Sequence, residues 1–586
     1  IAHLRKLMKS QKIDAYLVPH ADEHQNEFLP PSAERLKWLT GFSGSAGLSV
    51  ICQKKAALFI DGRYTLQVKA ECDNTLFDFL GPSDKKPTDW IVSHLKKGST
   101  VGFDPWLHTV NDIIKMTTEL AAKGFKIKSV SKNLVDKAWG KDRPRPPLNP
   151  IVLHPLEKAG KPAEKKIADI QALLAQSGEE YVLLTALDSI AWLFNIRGSD
   201  IAHTPVALAF AMVPAKGKPE LFIDPLKLLK EDKKKLEDIV SVSPQKILKE
   251  KLNYLRDKQK TVRIDPHSAA YALKRGFSEK FISYAPDPCI KMKAMKNSIE
   301  IAGAKSAHMR DGVAIVSFLS WLDEAHQKTK LDEITIVQEL QKFRARNHLF
   351  KDVSFNTIAG SGPNGAIVHY RVTEKTNRVL ENGDLLLLDS GAQYEDGTTD
   401  ITRTLAIGTP SEEMKQRATL VLKGHIAIAT AKFPAGTRGI DLDSLARKEL
   451  WKFGLDYDHG TGHGVGSYLS VHEKPQSISR SGMAPLEAGM ICSNEPGYYK
   501  KGAYGIRIEN LVLVTEPVLP DKGDKPVMGF ETLTLAPFDR KLILEPLLTK
   551  AEVDWINAYH KRVREALSPE IERSALNWLQ KETAPL

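Results

Sequence analysis

The stretch LLLLDSGAQYEDGTTDITRT (385–404) carries an unbroken apolar run followed by two aspartates, Asp389 and Asp400. The four leucines predict a buried strand, because continuous apolar residues suit a strand that is covered on both faces. Asp389 ends that strand, a turn around 395–397 reverses the chain, and Asp400 lies on the returning strand. Such a hairpin can bring both carboxylates to one face, where they repel each other unless a cation neutralises them. Two solvated aspartates are the alternative, but the leucines place Asp389 next to the core.

Two glutamates further along interrupt apolar sequence in SNEPGYYKKGAYGIRIENLVLVTE (493–516). Glu495 follows an apolar segment and precedes a Pro-Gly turn, while Glu509 lies inside the apolar strand IRIENLVLV. A glutamate in such a strand is costly unless it is paired or binds a metal. Arg507 could pair with Glu509, though only loosely, so a structural ion pair remains the alternative for this glutamate.

Three histidines, His459, His463 and His472, lie within HGTGHGVGSYLSVHE (459–473). Histidine serves as a metal ligand, a proton carrier or an ordinary half-buried side chain, and the spacing alone does not choose among these roles. For His459 and His472, simple loop or strand histidines remain the alternative.

The four carboxylates and one histidine form a ligand set that suits Mn²⁺, Co²⁺ or Zn²⁺, and the number of carboxylates favours manganese. One divalent ion does not balance four negative charges, whereas two ions about 3.5–4 Å apart and bridged by carboxylates do. A hydroxide held between the ions would be a nucleophile at neutral pH, because the metals depress its pKa. The residues therefore indicate a site for two metal ions.

The composition is that of a globular protein: the 586 residues are 42% hydrophobic and 26% charged, and the net charge is +11. The lysines lie in mixed-sign stretches such as KLLKEDKKKLED (227–238), and no basic stripe interleaved with aromatics predicts a nucleic-acid partner. Four scattered cysteines suit a reducing cytosol, and the longest apolar run, VALAFAMV (206–213), is too short to cross a bilayer. No signal-peptide pattern precedes the first helix, although the start at Ile1 leaves a removed leader open. We therefore expect a cytoplasmic protein with no nucleic-acid or membrane partner.

Two boundaries divide the chain into three predicted domains, 1–140, 141–294 and 295–586. Five prolines in KDRPRPPLNPIVLHP (141–155) block helix and central strand, and therefore predict a linker. The second boundary lies near 284–297, before a long helical pattern.

The first two domains look like distant copies of one α/β unit. ERLKWLTGFSGS (34–45) precedes a strand pair that ends in Phe-Ile-Asp at 59–61, and DSIAWLFNIRGSD (188–200) precedes a pair that ends in Phe-Ile-Asp at 222–224. Both the order and the approximate spacing match. These matches favour a duplication over the alternative, which is that any two α/β segments share similar turn residues.

The third domain has a weaker internal symmetry. Helices around 298–326 and 332–347 precede strands around 353–407, and helices around 411–432 and 441–453 precede strands around 465–535. Two α+β halves of this kind, folded against each other, would form a central cleft. The tail (541–586) predicts extra helix packed on the body, with no chemistry of its own.

The ordered set D-x10-D, HGTGHGVG, SNEPGYY and IRIEN resembles the pita-bread metallopeptidases, and within them the long, three-domain Xaa-Pro aminopeptidases (aminopeptidase P). The resemblance covers the whole chain, and its motifs are highly specific because five ligands recur in order. It implies a multidomain α/β and α+β protein. Two creatinase-like N-terminal α/β domains would precede a pita-bread catalytic domain with a C-terminal helical extension.

The resemblance also implies a role for each ligand. Asp389 would hold one metal, Asp400 and Glu509 would bridge both metals, and His463 and Glu495 would complete the second site. The glycines beside His463 would let the backbone approach the metals closely. Glu495 would also be the general base for the attacking water.

Other residues match the family's positions around the substrate. His459 and His472, together with His369 in SGPNGAIVHYR (361–371), would orient the peptide, hydrogen-bond the scissile carbonyl and help to manage protons. A Gly-rich turn is expected to direct the strand that carries His369, since GSGPNG lacks the lysine and the helix of a phosphate loop. Arg507 and Tyr499 match substrate-binding positions near the site.

The activity that the resemblance implies is metal-dependent removal of the N-terminal residue from peptides with proline at position two. A prolidase that cuts only Xaa-Pro dipeptides shares the same ligands, but the long chain favours the aminopeptidase. Two large extra domains disfavour a methionine aminopeptidase. The complete ligand set disfavours creatinase, which works without metal, and a non-catalytic peptide-binding protein. Relatives further imply a homodimer through the catalytic domain.

Overall fold

The computed structural model describes residues 1–81 and 83–586. The described residues form two compact units: unit 1 comprises Ile1–Leu156 and Lys161–Ile290, and unit 2 comprises Glu157–Gly160 and Lys291–Leu586. Within these residues, no helix has both the length and the apolar character that a membrane span requires.

Unit 1 contains two six-stranded sheets. The strands of the first are β1 (Ala15–Pro19), β2 (Gly47–Cys52), β3 (Ala56–Ile60), β4 (Asp78–Leu80), β5 (Thr100–Phe103) and β6 (Lys126–Ser129). Their spatial order is β4-β3-β2-β1-β5-β6, with antiparallel β1–β2 and β2–β3 pairs and parallel pairs elsewhere. Successive residues of β1 reach opposite faces, because Tyr16 and Val18 belong to one apolar cluster and Ala15 and Leu17 to another. The sheet is therefore buried on both faces.

The second sheet repeats this arrangement. The next strands along the chain are β7 (Val152–Leu153), β8 (Tyr181–Leu184), β9 (Ile196–Arg197), β10 (Ala209–Pro214), β11 (Glu220–Ile223), β12 (Ser241–Ser243), β13 (Val262–Ile264) and β14 (Ile282–Tyr284). β7 and β9 form a separate ribbon, and the sheet runs β12-β11-β10-β8-β13-β14. The order and the direction of every neighbouring pair match the first sheet. Asp61 and Asp224, which end the two Phe-Ile-Asp segments, each cap a short 3₁₀ turn. The predicted repetition is confirmed.

Thirteen helices precede, connect or follow these strands in the part of the chain that the structure describes. They are α1 (Ala2–Ser10), α2 (Arg35–Thr40), α3 (Gln67–Glu71), α4 (Pro87–His94), α5 (Val110–Ala122), α6 (Leu134–Trp139), α7 (Leu156–Ala159), α8 (Ala163–Ser177), α9 (Leu187–Leu193), α10 (Lys230–Ile239), α11 (Leu248–Asp257), α12 (Tyr271–Lys274) and α13 (Pro288–Ala294). Residues 143–151 contain neither helix nor strand, as the prolines there predict.

The helices of unit 2 follow the predicted order. They are α14 (Ser298–Lys328), α15 (Glu333–Ala345), α16 (Glu412–Ala429), α17 (Gly439–Trp451), α18 (Lys550–Leu567) and α19 (Arg573–Glu582). Asn297 and Glu300 form a capping box at the start of α14, which fixes where this long helix begins. The last two helices make up the C-terminal extension, and Ile556, Val563 and Leu579 join the same buried cluster as Ile506. The prediction of extra helix packed on the body is confirmed.

The strands of unit 2 form several small sheets. They are β15 (Phe350–Val353), β16 (Ile358–Ser361), β17 (Leu385–Ser390), β18 (Ala392–Tyr394), β19 (Gly397–Thr398), β20 (Ile401–Ala406), β21 (Phe433–Pro434), β22 (Gly462–Gly464), β23 (Glu473–Ile478), β24 (Ile491–Asn494), β25 (Gly497–Lys500), β26 (Tyr504–Arg507), β27 (Asn510–Val514), β28 (Val527–Met528) and β29 (Phe530–Thr532). Asp389 lies in the sheet β16-β17-β20 and His463 in the sheet β23-β22-β24-β27-β29, and the other three predicted ligands directly adjoin strands of these two sheets. Leu386 and Leu388 pack with Phe318 of α14, which confirms that the four leucines form a buried strand.

The segment between Asp389 and Asp400 differs from the predicted hairpin. β17 pairs with β20, with Asp389 opposite Thr402. β18 and β19 belong to a different sheet, in which β18 pairs with both β15 and β19. Asp400 lies between β19 and β20, where the chain passes from one sheet to the other. The prediction that Asp400 lies on the returning strand is therefore wrong by one residue.

Glu509 does not lie inside a strand either. β26 ends at Arg507 and β27 begins at Asn510, so Ile508 and Glu509 form the junction between two sheets. An apolar run cannot reveal such a break, because both strands are buried and read alike in sequence.

Candidate active site

Three predicted ligands form one cluster, in which Asp400 and Glu509 are buried and His463 is half-buried. Asp400, His463 and Glu509 each present a ligand atom, and these atoms lie within 4.8 Å of one another. Asp400 directly precedes β20, His463 is the central residue of β22, and Glu509 lies between β26 and β27. An isolated antiparallel bridge between Thr402 and Glu509 joins the two segments that carry the carboxylates.

The other two predicted ligands border this cluster. Glu495 follows β24, and its Oε1 lies 3.4 Å from Nε2 of His463. Asp389 lies in β17, opposite Thr402. Thr402 also donates its hydroxyl to Oε2 of Glu509 at 2.7 Å, so Asp389 and Glu509 flank the same residue. The structure thus brings all five predicted ligands to one place.

Two of the predicted carboxylate ligands, Asp389 and Glu509, hold protons at unusually high pH. Burial raises the pKa of Asp389 to about 7, with Arg507 opposing the increase and Asp400 adding to it. Burial also raises the pKa of Glu509 well above its ordinary value, and the nearby Asp400 and Glu495 raise it further. Oδ1 of Asp389 and Oδ1 of Asp400 are buried without a hydrogen-bond partner. Clustered, unpartnered carboxylate oxygens beside an imidazole nitrogen are a donor set that fits divalent cations.

His463 directs Nε2 at the carboxylates because its other ring nitrogen is engaged. Nδ1 donates to the carbonyl oxygen of Gly464 at 2.9 Å, and Nε2 lies 3.5 Å from Oδ2 of Asp400. Burial lowers the pKa of His463, but Asp400 and Glu495 outweigh this effect and raise the pKa to about 9. Metal binding requires the neutral imidazole, so the proton on Nε2 occupies the position that a metal ion would take.

The glycines beside His463 serve strand packing. A Cβ on Gly462 would lie 2.0 Å from the carbonyl oxygen of Ser493 in β24, and a Cβ on Gly464 would lie 2.4 Å from that of Glu473 in β23. From the sequence, these glycines are expected to let the backbone approach the metals closely. In the structure they let β22 lie close to β23 and β24, the two neighbouring strands that hold His463 in place.

Arg507 is buried and pairs with Asp389. The alternative that Glu509 is the ion-pair partner of Arg507 is therefore wrong. The second guanidinium nitrogen, Nη1, donates to the Tyr499 hydroxyl at 2.6 Å, and that hydroxyl lies 2.8 Å from Nε2 of His459. Nδ1 of His459 donates to the carbonyl oxygen of Gly460, so Nε2 accepts from Tyr499. This chain of contacts links Asp389 to a predicted substrate-side histidine.

The remaining substrate-side histidines lie in irregular segments. The His472 ring is edge-on to that of His463, with centroids 4.3 Å apart. His472 directly precedes Glu473, a buried carboxylate that pairs with both Lys293 and Lys296. Sequence reasoning missed this anchor because the partners lie far apart along the chain, although KMKAMK in front of α14 is an unusual concentration of lysines for a buried segment.

His369 lies in a turn, so the prediction of a strand that carries it is wrong. The 3₁₀ segment Gly362–Ala366 precedes it and packs against β26. A Cβ on Gly505 would lie 1.7 Å from the carbonyl oxygen of Gly365, which shows how closely the two backbones approach. The turn is thereby fixed against the strand that ends at Arg507.

Family models match nearly the whole chain. The Creatinase/Prolidase N-terminal domain matches residues 1–137 and, in a second model, residues 142–300. Metallopeptidase family M24 matches residues 302–516, and the C-terminal region of peptidase M24 matches residues 526–586. The predicted architecture of two creatinase-like domains before a pita-bread domain is confirmed.

A probable Xaa-Pro aminopeptidase P from Neosartorya fischeri is 41% identical over 604 residues, covering 100% of this chain and 92% of that protein. The chain belongs to the Xaa-Pro aminopeptidase P family. A crystal structure of X-prolyl aminopeptidase from Caenorhabditis elegans, described as a cytosolic enzyme with a di-nuclear active site, matches 100% of this chain and 99% of its own at a TM-score of 0.96 and 35% identity. A recombinant prolidase from Thermococcus sibiricus matches only 64% of this chain, at a TM-score of 0.51 and 26% identity. The full-length matches thus favour the aminopeptidase over the prolidase.

Several supporting residues of this family member escaped the sequence analysis. Ser493 accepts a hydrogen bond from the backbone N–H of His463 and donates one to Oε1 of Glu495. His425 of α16 is fully buried; its Nδ1 donates to the carbonyl oxygen of Asn494 and its Nε2 accepts from the Asn510 amide. Asn494 and Asn510 directly adjoin Glu495 and Glu509, so His425 supports both ligand segments. Nothing in the local sequence marks a helical histidine for this role.

We expect His425 to make the protein less stable in acid. Burial and the charge of Arg403 lower the pKa of His425 to about 3, so the folded protein keeps this ring neutral while the unfolded chain takes up a proton below about pH 6.5. Stability is therefore present above the unfolded pKa and is lost as the pH falls, by roughly 2 kcal/mol at pH 5. His425→Gln should reduce the difference between urea midpoints measured at pH 7.5 and pH 5. The exposed His348, changed to Gln, is the control, and equal pH slopes in both variants would contradict the assignment.

Proposed function

We propose that this chain hydrolyses the bond between the N-terminal residue of a peptide and a proline in second position, with two divalent metal ions. The full-length likeness to Xaa-Pro aminopeptidases P carries the proposal, together with a cluster of three expected ligands that the other two, Asp389 and Glu495, border. Proline has no backbone N–H and a fixed φ, so a site for this bond recognises the ring in place of the usual hydrogen bond.

We further propose which of the two metal ions each ligand would bind. Asp389 would hold one ion, Asp400 and Glu509 would be shared by both, and His463 and Glu495 would complete the second site. The high carboxylate content favours manganese over cobalt or zinc. When bound, the ions would supply an activated water molecule and polarise the scissile carbonyl.

Glu495 is the proposed general base. It accepts a proton from the attacking water and returns it to the proline nitrogen as that group departs. Its carboxylate is partly accessible, at 17% of the side-chain surface, and the Ser493 hydroxyl fixes Oε1 at 3.0 Å. The same hydroxyl accepts a hydrogen bond from the backbone N–H of His463. Ser493 therefore fixes the position of Glu495 relative to His463.

The substrate-side groups act on the peptide. His459, His472 and His369 orient it, hydrogen-bond the scissile carbonyl and help to move protons. Arg507 and Tyr499 contribute by holding Asp389 and His459 in place. Their assignment as direct substrate-binding residues remains a prediction from the resemblance.

The deciding experiment compares Arg-Pro-Pro with the dipeptide Arg-Pro, on metal-stripped protein with and without Mn²⁺. We expect manganese-dependent release of Arg from the tripeptide and little cleavage of the dipeptide. Cleavage of the dipeptide alone would establish a prolidase. If both substrates stay intact with Mn²⁺, Co²⁺ and Zn²⁺, the chain is a binding protein and the proposal is wrong.

The finer expectations are proposals of the same kind. We propose a cytoplasmic location, which agrees with the description of the Caenorhabditis elegans enzyme as cytosolic. We also propose a homodimer that forms through the catalytic domain. The proposed domain limits are 1–140, 141–294 and 295–586.

A further inference from the structure

We propose that Arg403 is a positioning residue that sets the spacing of the two bridging carboxylates, and that the C-terminal extension controls this residue through Tyr559. The inference rests on the proposed ligand set, since it concerns how the chain holds Asp400 and Glu509. It gives the extension a part in metal binding, which its sequence does not suggest.

One nitrogen of Arg403 connects the two ligand segments. Nη1 donates to the carbonyl oxygen of Thr402 at 2.9 Å and to that of Glu509 at 2.7 Å. Thr402 lies two residues after Asp400, and it is the same residue that forms the bridge with Glu509. A shift of the guanidinium would therefore change the distance between the segments that present the two carboxylates.

The other nitrogens of Arg403 tie it to the rest of unit 2. Nη2 donates to Oδ1 of Asn510 at 2.8 Å, to the carbonyl oxygen of Ala536 at 2.8 Å and to the Tyr559 hydroxyl at 3.1 Å, while Nε donates to the carbonyl oxygen of Pro537 at 2.9 Å. These partners are all neutral, and the side chain is buried. A buried arginine that serves only stability is normally paired with a carboxylate. Because its partners are neutral and include the carbonyl oxygens of Thr402 and Glu509, we infer that this guanidinium holds these backbone segments in position.

Tyr559 brings the C-terminal extension to this point. It lies in α18, and its hydroxyl accepts from Arg403 while it donates to the carbonyl oxygen of Ala536 at 2.9 Å. Its ring stacks on Phe538 and Trp555, with centroids 5.0 and 5.5 Å away, and the Phe538 ring also lies 4.7 Å from the Arg403 guanidinium carbon. The rings fix the hydroxyl, and the hydroxyl limits where Nη2 can lie.

The test is the affinity of metal-stripped protein for Mn²⁺, measured by competition with a fluorescent chelator, in Tyr559→Phe. This change keeps the ring and its stacking and removes only the hydroxyl. Outer groups that orient ligands typically contribute 10- to 100-fold to metal affinity. We expect the weaker of the two ions to bind about tenfold less tightly, with circular dichroism unchanged. Arg403→Lys, which keeps the charge but loses the planar fork, should weaken binding further.

Val563→Ala is the matched control, because Val563 is fully buried in the same helix and belongs to the same apolar cluster. It should lower the melting temperature without changing Mn²⁺ affinity. If Tyr559→Phe binds Mn²⁺ as tightly as the unmodified protein, or if Val563→Ala weakens binding equally, the positioning role is wrong. An unmodified protein that binds no Mn²⁺ would overturn the proposed metal site itself, and this inference with it.

Discussion

Replacing Glu495 by glutamine is expected to lower kcat on Arg-Pro-Pro by about 10³-fold, because the variant cannot accept the proton of the attacking water. Glutamine has nearly the same shape, so the hydrogen bond from Ser493 can persist and the fold should stay intact. The loss of one negative charge beside His463 should also lower the affinity of the second site for its metal ion. Steady-state kinetics at saturating Mn²⁺ separates the two effects, since added metal restores occupancy but not the base.

Glu487→Gln is the control for this substitution. Glu487 lies in the same unit and pairs at the surface with Lys291, outside the cluster. Exposed pairs of this kind contribute little to stability, so the variant should keep its rate. A Glu495→Gln protein that retains near-normal turnover with full metal occupancy would show that another group is the base.

The catalytic strand could be predicted because its signal is local. Four consecutive leucines determine β17 and place Asp389 at the edge of the core, whatever else the chain does. The position of Asp400 could be predicted only to within a residue. The chain between the two aspartates joins another sheet through β18 and β19, and that pairing depends on β15, more than thirty residues earlier.

The partners of the charged residues could not be predicted, because they are decided by tertiary contacts. Arg507 is two residues from Glu509 in sequence, yet it pairs with Asp389 in a different strand. Glu473 is bound by Lys293 and Lys296 from the segment in front of α14. Sequence periodicity reports which residues are buried, but not which of the buried charges meet.

The resemblance to a known family identified the ligands, which periodicity could not do, but it did not identify the residues that hold the ligands in place. It assigned five ligands, and the structure gathers all five. It assigned no role to Arg403 or Tyr559, because hydrogen bonds to backbone carbonyls leave no motif around the carbonyl that accepts them.

Replacing Glu509 by glutamine is expected to have opposite effects on metal binding and on the stability of the metal-free protein. Glu509 is the proposed bridge, and its carboxylate lies within 4.8 Å of the ligand atoms of Asp400 and His463. Without its charge, the cluster balances two divalent ions poorly. We expect the metal content after dialysis, measured by mass spectrometry, to fall from two ions to one, and activity to fall about 10³-fold, as expected when bridging charge is lost at a two-metal centre.

The matched control for metal content is Glu333→Gln. Glu333 is equally buried in unit 2, and burial raises its pKa, but its oxygens accept from Ser361, Asn364 and Tyr370 outside the cluster. This variant should keep two ions. If it loses one as well, the loss reflects the removal of any buried carboxylate and the bridging role of Glu509 is not supported.

The metal-free Glu509→Gln protein should be more stable than the metal-free parent at pH 8. Burial and the neighbouring carboxylates raise the pKa of Glu509, so the folded parent binds a proton that the unfolded chain has already released. The contribution of this carboxyl group is intact below its unfolded pKa and is lost as the pH rises towards its folded pKa. Glutamine does not titrate, so the gain in melting temperature should be large at pH 8 and small at pH 5. A residue that only stabilises the fold would lower the melting temperature at both pH values, and that result would remove Glu509 from the proposed metal site.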